Sequence, residues 1–422
     1  MAVERRRVAV VGGGVAGLTA AYVLRRACEV TLYEADSRLG GHAHTHDIAG
    51  CDGRMARVDS GFIVHNERTY PWLLRLFHEL GVTTQDSEMS MSVRCDGCGL
   101  QYAGARGLTG LFAQPRNMLR GPYLRMLAEV PAFHRAARSV LASDRTNPVT
   151  LRQFLATGGF SGYFITHFMT PLVSAVWSCP SETAMRYPAA YLFRFLENHG
   201  MLSLKGSPQW RTVTGGSAEY VNRLAKQLTA VRTGTPVRTV RRFPDRALVT
   251  AEDGTTGEFG AVVLAVHPDQ ALRMLADPTQ DERQVLGAFH YSRNPTVLHT
   301  DTTVLPSARR ARASWNYRMP SCHAPAEVVQ ISYHMNRLQS LDASEDYVVS
   351  LNCPELIDER RVLARMVYEH PVYTPESVAA QDRLPDLNTA VTAYAGAYHG
   401  WGFHEDGCRS GAQAAAALGV HW

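Results

Sequence analysis

A glycine-rich turn near the start of the chain lies between an apolar strand and a helix, and it constrains the fold strongly. It presents Gly12, Gly14 and Gly17 with the spacing G-x-G-x-x-G. Glycine permits the unusual backbone angles of such a turn, and the following helix N-terminus offers unpaired N–H groups to a phosphate. A second apolar run ends at Glu34, about 20 residues downstream, where such folds place an acid on an adenosine ribose. The pattern predicts a dinucleotide-binding strand–helix–strand unit.

The residues that follow Glu34 narrow the choice of dinucleotide. The run EADSRLGGH places Arg38 and the pair Gly40 and Gly41 just after the acid. A domain that binds only a nicotinamide dinucleotide has no evident need for this second phosphate-facing element. The run resembles the E-A-x-x-R-x-G-G signature of the flavin amine oxidase and phytoene desaturase superfamily. The resemblance implies that the cofactor is FAD, with Arg38 and the two glycines near its pyrophosphate and beneath the flavin.

Length and composition are those of a globular protein with two intertwined domains. The chain has 422 residues, of which 45% are hydrophobic, so a sizeable core is expected. The net charge of +4 gives little support to a nucleic-acid partner. Because no window offers about 20 uninterrupted apolar residues, we expect a soluble, cytoplasmic protein. Nothing in the sequence indicates the oligomeric state.

Cysteines and histidines give no strong metal signature. Cys95 and Cys98 form the only C-x-x-C pair among eight cysteines, and no second pair accompanies them as in a zinc site. A reduced hairpin turn is the favoured interpretation. His42, His44 and His46 directly follow the Gly-Gly pair, so we interpret them as flavin-proximal or loop residues. The sequence therefore predicts no bound metal.

Further segments resemble the flavin-binding parts of amine oxidases. The run 58–64 resembles their turn beside the isoalloxazine ring, and a middle segment with Val237 and Ala265 resembles their second FAD segment. Near the C-terminus, Ala397 stands where the family usually has an acid, so Glu405 or Asp406 is expected to serve instead. The predicted cofactor-binding residues are Gly12, Gly14, Val15, Ala16, Gly17, Glu34, Ala35, Arg38, Gly40, Gly41, His42, Ser60, Gly61, Phe62, Val237, Ala265, Gly396, His404, Glu405 and Asp406.

These segments occur at both ends and in the middle of the chain. They predict an α/β protein whose Rossmann-like FAD-binding domain comprises residues 1–92, 206–290 and 385–422. An α+β substrate domain is expected to be inserted as residues 93–205 and 291–384.

The chain as a whole resembles a bacterial family of predicted NAD/FAD-binding proteins within the amine oxidase superfamily. The resemblance rests on Gly40-Gly41-His42, the run 59–71, Pro208-Gln209-Trp210, the run 334–339 and the run 402–411. Members commonly accompany cyclopropane-fatty-acid-synthase-like methyltransferases, which implies chemistry on unsaturated or branched acyl chains. Many amine oxidases hold a lysine near the flavin, whereas this chain has Asn294-Pro295-Thr296-Val297 there and only two lysines, Lys205 and Lys226.

Three functions follow as hypotheses. The first is an FAD-dependent oxidoreductase that desaturates an apolar fatty-acyl or lipid-like substrate or moves its double bond. The second is an amine or amino-acid oxidase that releases peroxide. The third is a flavin-binding protein without a small substrate.

The family resemblance also predicts the active face. It puts Phe403 where amine oxidases often carry an aromatic residue beside the flavin, unless Phe403 and Trp401 merely pack the helix on the sheet. The predicted catalytic residues are Phe403, Trp401, Tyr398, His399 and Tyr317, with Tyr333 and Trp177 as further pocket candidates.

An arginine-rich stretch over residues 106–142 reads as helical. It is either a solvated face or an electropositive mouth for a carboxylate-bearing or membrane-resident substrate. A peripheral membrane contact is therefore one expectation. The aromatic-rich segment 151–200 is expected to supply core and to line part of a long apolar pocket.

Overall fold

The computed structural model describes residues 5–143, 149–203, 206–322 and 328–422. Its strands are β1 (Arg7–Val11), β2 (Glu29–Tyr33), β3 (Thr45–Ala49), β4 (Met55–Asp59), β5 (Val64–Asn66), β6 (Thr84–Ser87), β7 (Met91–Cys95), β8 (Gln101–Gly104), β9 (Trp210–Val213), β10 (Ala230–Arg232), β11 (Val237–Arg242), β12 (Ala247–Ala251), β13 (Thr256–Phe259), β14 (Ala261–Leu264), β15 (His290–His299), β16 (Trp315–Met319), β17 (Gln330–His334), β18 (Val348–Leu351), β19 (Val362–Val372) and β20 (Thr392–Tyr394). Its helices are α1 (Val15–Leu24), α2 (Pro71–Leu80), α3 (Gly107–Leu111), α4 (Gly121–Leu141), α5 (Leu151–Thr157), α6 (Gly162–Phe164), α7 (Thr170–Trp177), α8 (Ser181–Arg186), α9 (Ala189–Asn198), α10 (Ala218–Ala225), α11 (Pro268–Met274), α12 (Gln280–Leu286), α13 (Met335–Leu338), α14 (Pro375–Gln381) and α15 (His404–Ala417).

A five-stranded parallel sheet forms the centre of the first half of the fold, in the order β10-β2-β1-β14-β20. Its middle strands are continuous apolar runs, as expected for parallel strands that are covered on both faces. Val10 lies opposite Leu32 on one side and Val263 on the other. The strands come from three separate segments of the chain, and this sheet therefore depends on contacts between distant parts of the sequence.

Different elements cover the two faces of this sheet. The side chains of Val8 and Val10 pack in a core with α1, α2, α10 and α15. The side chains of Ala9 and Val11 pack in a second core with the β11–β13 meander and α11 and α12. This arrangement is the α/β fold that the glycine turn predicts.

A seven-stranded sheet organises the other half of the fold, in the order β19-β15-β18-β17-β16-β7-β8. The helices α4–α9 pack against it and share a large apolar core with it. The division into FAD-binding and substrate domains stays a proposal, and one boundary needs adjusting. The predicted substrate domain, residues 291–384, includes α14. In the structure, Ala380 and Leu384 instead pack in the core beneath the parallel sheet.

The arginine-rich stretch is not one continuous helix. It consists of α3, a 3₁₀ turn (Pro115–Leu119) and the 21-residue α4, which contains Pro131. In the described part of the chain, no helix is both long and apolar enough to cross a membrane.

Candidate functional site

The predicted cofactor-binding residues gather at one edge of the parallel sheet. Gly12 follows β1, Glu34 follows β2, Ala265 follows β14, and Gly396 lies two residues beyond β20. Ligands of open α/β sheets bind in the crevice outside the carboxyl ends of the strands. Three separate parts of the sequence are therefore brought to the same crevice.

The glycine turn forms a cradle that side chains would fill. Gly12 has φ +106°, and a β-carbon on it would lie 2.4 Å from the carbonyl oxygen of Ala265. A β-carbon on Gly17 would lie 1.9 Å from the carbonyl oxygen of Gly12. Beside Gly14, in contrast, a β-carbon would meet no atom within 4 Å. This open space lies at the N-terminus of α1, before Val15 and Ala16, and it fits a pyrophosphate group.

Glu34 is held in place by the backbone. Its carboxylate accepts the N–H of Gly13 at 2.6 Å and that of Asp36 at 2.8 Å. Its carbonyl accepts the N–H of Thr235 at 2.8 Å, so Val237, two residues further on, lies beside the acid. Ala35 follows Glu34 directly. A carboxylate has more acceptor sites than these two bonds use, which leaves capacity for the hydroxyls of a ribose.

A second loop lies against the first. The N–H of Gly40 donates to the carbonyl of Gly13 at 2.8 Å, and a guanidinium nitrogen of Arg38 donates to the carbonyl of Gly41 at 2.8 Å. Among the described residues Arg38 forms no ion pair, and its positive charge is free to attract a diphosphate.

His42 leads from this loop to the predicted flavin neighbours. Its carbonyl accepts the N–H of Phe62 at 2.7 Å, and a β-carbon on Gly61 would lie 2.1 Å from that carbonyl oxygen. Burial lowers the pKa of the His42 imidazole well below its usual value. Its Nε2 atom is buried and has no hydrogen-bond partner in the described part of the chain. An orphaned polar atom in this place fits the polar edge of a bound flavin.

Tyr368 and His370 extend the site in a way that sequence reasoning missed. The Tyr368 hydroxyl and the Ser60 hydroxyl share a hydrogen bond of 2.7 Å. On the neighbouring strand, Asn294 lies opposite Tyr368, and its amide donates to Nδ1 of His370 at 3.0 Å. Burial lowers the pKa of His370 to about 4, so its imidazole is neutral at neutral pH. No local motif marks Tyr368 or His370, since only the pairing of β15 with β19 brings them to Asn294.

The C-terminal segment also reaches the predicted flavin neighbours. Phe403 immediately precedes α15 and His404 is its first residue. The His404 ring stacks on the Phe62 ring with centroids 3.7 Å apart, and its Nε2 shares a hydrogen bond of 3.1 Å with the Tyr220 hydroxyl. Burial lowers the pKa of His404 to about 3. The start of a helix beside a neutral imidazole can stabilise negative charge.

The two acids predicted to replace the missing family acid are engaged elsewhere. Glu405 accepts backbone N–H groups of Trp72 and Leu73 at 3.1 and 3.0 Å, in the first turn of α2. Asp406 accepts the N–H groups of residues 401 and 403 at 3.0 and 3.1 Å and pairs with Arg409. Glu405 and Asp406 therefore fix the start of α2 and the turn before α15, and their contact with the cofactor stays a prediction.

Trp401 and Phe403, from the predicted catalytic set, lie together. They line a cavity of about 240 Å³ with Tyr70 and His199. The Phe403 ring stacks on that of Phe195 in α9, with centroids 5.1 Å apart. Both residues therefore lie where the C-terminal segment meets the helical layer.

The other predicted catalytic residues lie apart from this pair. The Tyr398 ring packs beneath the parallel sheet, 5.3 Å from the Phe289 ring. His399 lies half-buried next to Tyr398, and the desolvation of its imidazole lowers its pKa to about 3. Tyr317 lies on β16 in the core of the seven-stranded sheet. Tyr398 therefore packs in a different core from Trp401 and Phe403, whereas Tyr317 belongs to the core against which that pair packs, and its catalytic role stays a prediction.

Comparisons with known proteins identify the family of this chain. The family model of flavin-containing amine oxidoreductases matches residues 15–419. AofH of Mycobacterium tuberculosis, assigned as a flavin-containing monoamine oxidase, is 29% identical over 281 residues, or 64% of this chain and 59% of AofH. The chain thus spans less than two thirds of that relative's length.

Solved structures show the same fold over nearly the full length. Cyclohexylamine oxidase from Brevibacterium oxydans superposes with a TM-score of 0.70 and 16% identity, covering 98% of each chain. A fatty acid isomerase from P. acnes that produces CLA superposes with a TM-score of 0.69 and 16% identity, covering 97% of this chain and 98% of the isomerase. The chain belongs to the family of flavin-containing amine oxidoreductases, and its cofactor is FAD.

Proposed function

We propose that this oxidoreductase abstracts or relocates a hydride on an apolar, unsaturated fatty-acyl or lipid-like substrate. The observation that carries the proposal is the uncharged pair formed by Asn294 and His370 beside Ser60 and Tyr368. The family resemblance puts Asn294 in the region where many amine oxidases hold a lysine. An uncharged amide and imidazole suit a C–H bond that needs alignment and dryness more than a strong base.

Among the described residues, no lysine supplies the missing group. Lys226 follows α10 and lines a surface groove with Glu79 and Arg223. Lys205 lies outside the described residues. Glu405 and Asp406 line the cavity beside Phe403, and both already accept hydrogen bonds from protein donors.

Aromatic side chains dominate where the helical layer meets the C-terminal segment. Trp177 donates its indole N–H to the Trp401 carbonyl at 3.0 Å, and its ring lies 4.7 Å from that of Phe195. The Tyr191 and Tyr373 hydroxyls both donate to the carbonyl of Gly400 at 2.8 Å. These contacts fix an apolar wall that can align an acyl chain and exclude water.

Each part of the site has a separate task in this proposal. FAD, when bound, supplies the hydride chemistry. The glycine turn, Glu34 and Arg38 hold the dinucleotide. The N-terminus of α15 at His404 stabilises negative charge. The neutral His370 accepts the Asn294 amide at Nδ1, so its Nε2 carries the proton and can donate a hydrogen bond without a charged partner.

An exposed apolar surface supports a substrate taken from a lipid phase. Leu108, Met118, Leu119 and Leu124 are 73%, 53%, 90% and 41% exposed, and we name these four residues the α3–α4 patch. Arginines, among them the exposed Arg116, lie between them in the chain. Apolar side chains flanked by arginine suit the interface of an anionic membrane. We propose that this patch docks on such a surface.

The proposal is tested with the purified holoenzyme under anaerobic conditions. We expect unsaturated fatty acids to bleach the flavin absorbance or to return with a shifted or added double bond, measured by mass spectrometry. Unsaturated lipids are expected to co-purify with the protein. If acyl substrates leave both the flavin and their own double bonds unchanged, the proposal is wrong.

The amine-oxidase alternative has its own support. The relatives include AofH and cyclohexylamine oxidase, and an aromatic residue, Phe403, precedes α15. Peroxide release on adding primary amines, polyamines or amino acids would establish this alternative. A flavin that no acyl or amine substrate reduces would instead favour a protein without a small substrate.

A further inference from the structure

Three cysteines and one histidine meet at the outer end of the seven-stranded sheet. The thiols of Cys95, Cys98 and Cys322 and a ring nitrogen of His167 all lie within 4.8 Å of one another. Cys95 ends β7 and Cys98 lies in the hairpin to β8, whereas Cys322 lies three residues after β16. The three cysteines are free thiols. Such a set of one imidazole and three sulfur atoms is what Zn²⁺ binds in structural sites.

The histidine is oriented as a metal ligand. His167 lies in a single π-helical turn, Ile165–Met169, and its Nδ1 is 3.2 Å from the carbonyl oxygen of Tyr163. A carbonyl can only accept, so Nδ1 carries the proton and Nε2 has a free lone pair. That Nε2 lies 3.6 Å from the Cys98 sulfur. A backbone carbonyl that fixes the tautomer in this way is the usual outer partner of a zinc-bound histidine.

The backbone around the hairpin lets the third cysteine approach. A β-carbon on Gly97 would lie 3.1 Å from the Cys322 nitrogen and 3.4 Å from its sulfur. The N–H of Asp96 donates to the carbonyl of Met319 at 2.8 Å, which holds the end of β16 against the hairpin. The four groups are thus brought together by fixed backbone contacts.

We propose that Cys95, Cys98, His167 and Cys322 bind one Zn²⁺ ion in a closed, tetrahedral site. Binding converts three thiols to thiolates, and their three protons pass to solvent. The filled site carries one negative charge, and the Arg120 guanidinium, which donates to the Cys98 carbonyl at 3.1 Å, partly compensates it. Four protein ligands leave no open position, so the ion has a structural role.

The metal would fasten the helical layer to the sheet. The Tyr102 hydroxyl on β8 already donates to the His167 carbonyl at 2.7 Å. The 3₁₀ turn that carries Met118 and Leu119 is tied to the same hairpin, because Arg116 donates to the Gly99 carbonyl at 2.7 Å. Loss of the ion is therefore expected to loosen both the helical layer and the α3–α4 patch.

The first test measures zinc in the full-length holoenzyme after purification under reducing conditions and incubation with Zn²⁺. We expect one zinc ion per chain by elemental mass spectrometry. Cys98→Ser and Cys322→Ser should each lose most of the metal. Cys51→Ser removes an exposed thiol elsewhere and should retain it. A wild-type protein with far less than one ion per chain would overturn the proposal.

A second test avoids variants, which can fail to fold. Alkylation of the wild-type protein should modify Cys51 with or without a chelator, and Cys95, Cys98 and Cys322 only after chelation. Replacing Zn²⁺ by Co²⁺ should give the intense thiolate-to-cobalt absorption of a sulfur-rich tetrahedral site. Equal labelling with and without the chelator, or a Cys95–Cys98 disulfide in the native protein, would contradict the proposal.

Discussion

Single residues with fixed geometry make the clearest predictions about the cofactor. Glu34 accepts two backbone N–H groups and faces the crevice. We expect Glu34→Ala to weaken FAD binding about 10- to 100-fold, because charge-assisted hydrogen bonds contribute about 1.5–3 kcal/mol each. Titration of apoprotein with FAD measures the dissociation constant. Glu29→Ala, at the exposed start of the same strand, should leave it unchanged, and an unchanged constant in Glu34→Ala would refute the assignment.

Substitution of Phe403 distinguishes a role beside the flavin from a role in packing the core. We expect Phe403→Ala to keep its fold and FAD, to lose turnover and to shift the flavin absorption spectrum, whereas Phe403→Tyr should restore the spectrum. Phe289→Ala is the matched control, since this buried ring lies in the core beneath the sheet and should lower stability by about 3–5 kcal/mol. If Phe403→Ala unfolds and its residual holoenzyme has a normal spectrum, Phe403 is a core residue.

At the scale of elements, the start of α2 depends on a residue more than 300 positions away. Glu405 accepts the N–H groups of Trp72 and Leu73, which would otherwise be unsatisfied at the helix N-terminus. We expect Glu405→Gln to lower the free energy of unfolding by about 1–2 kcal/mol and to leave the flavin spectrum unchanged. Glu376→Gln, in the exposed first turn of α14, is the control. A changed spectrum with normal stability would instead show that Glu405 contacts the cofactor.

The α3–α4 patch gives a second prediction at this scale. Leu119 is 90% exposed, and burying such a side chain in a lipid phase contributes about 1.5–3 kcal/mol. Leu119→Glu should therefore weaken binding to anionic vesicles at least about 10-fold, measured by sedimentation. Met55→Glu changes an apolar side chain that is 61% exposed elsewhere and should have no effect. Equal binding of both variants to the vesicles would exclude the α3–α4 patch as the membrane-binding surface.

Local patterns predicted the elements but not the long-range contacts. The G-x-G-x-x-G spacing and Glu34 lie within one strand–helix–strand unit, where backbone geometry follows from nearby residues. The cluster of Cys95, Cys98, His167 and Cys322 could not be predicted from the sequence. Cys95 and Cys98 meet Cys322 only through the parallel pairing of β7 with β16. Long-range packing also determines where Tyr398 lies. Its ring packs in the core beneath the parallel sheet, whereas Trp401, three residues later, packs against the core of the seven-stranded sheet.

At the scale of the whole molecule, burial keeps many histidines uncharged. Their pKa values lie at about 4 for His65, His199, His299 and His370 and at about 3 for His399 and His404. An unfolded histidine titrates near 6.5, so between these values the unfolded state binds more protons and stability falls as the pH falls. Burial raises the pKa of Asp59 and Asp406 to about 6, which acts in the opposite direction. Among the described residues, the histidines whose pKa is lowered, His44 included, outnumber the carboxyl groups whose pKa is raised by burial, Asp59, Glu405 and Asp406. The net effect is lability to acid.

His65 tests this balance most directly, because neither of its ring nitrogens has a partner among the described residues. We expect the free energy of unfolding to fall steadily between pH 6.5 and pH 4, measured by urea denaturation with FAD in fixed excess. His65→Leu removes one group that protonates on unfolding, and it should reduce the slope by up to about 1.4 kcal/mol per pH unit. His421→Leu, at an exposed position, should keep the slope of the wild-type protein. A His65→Leu slope equal to that of the wild type would mean that His65 already carries its proton in the folded protein, and the burial of an uncharged ring would not be the source of the acid lability.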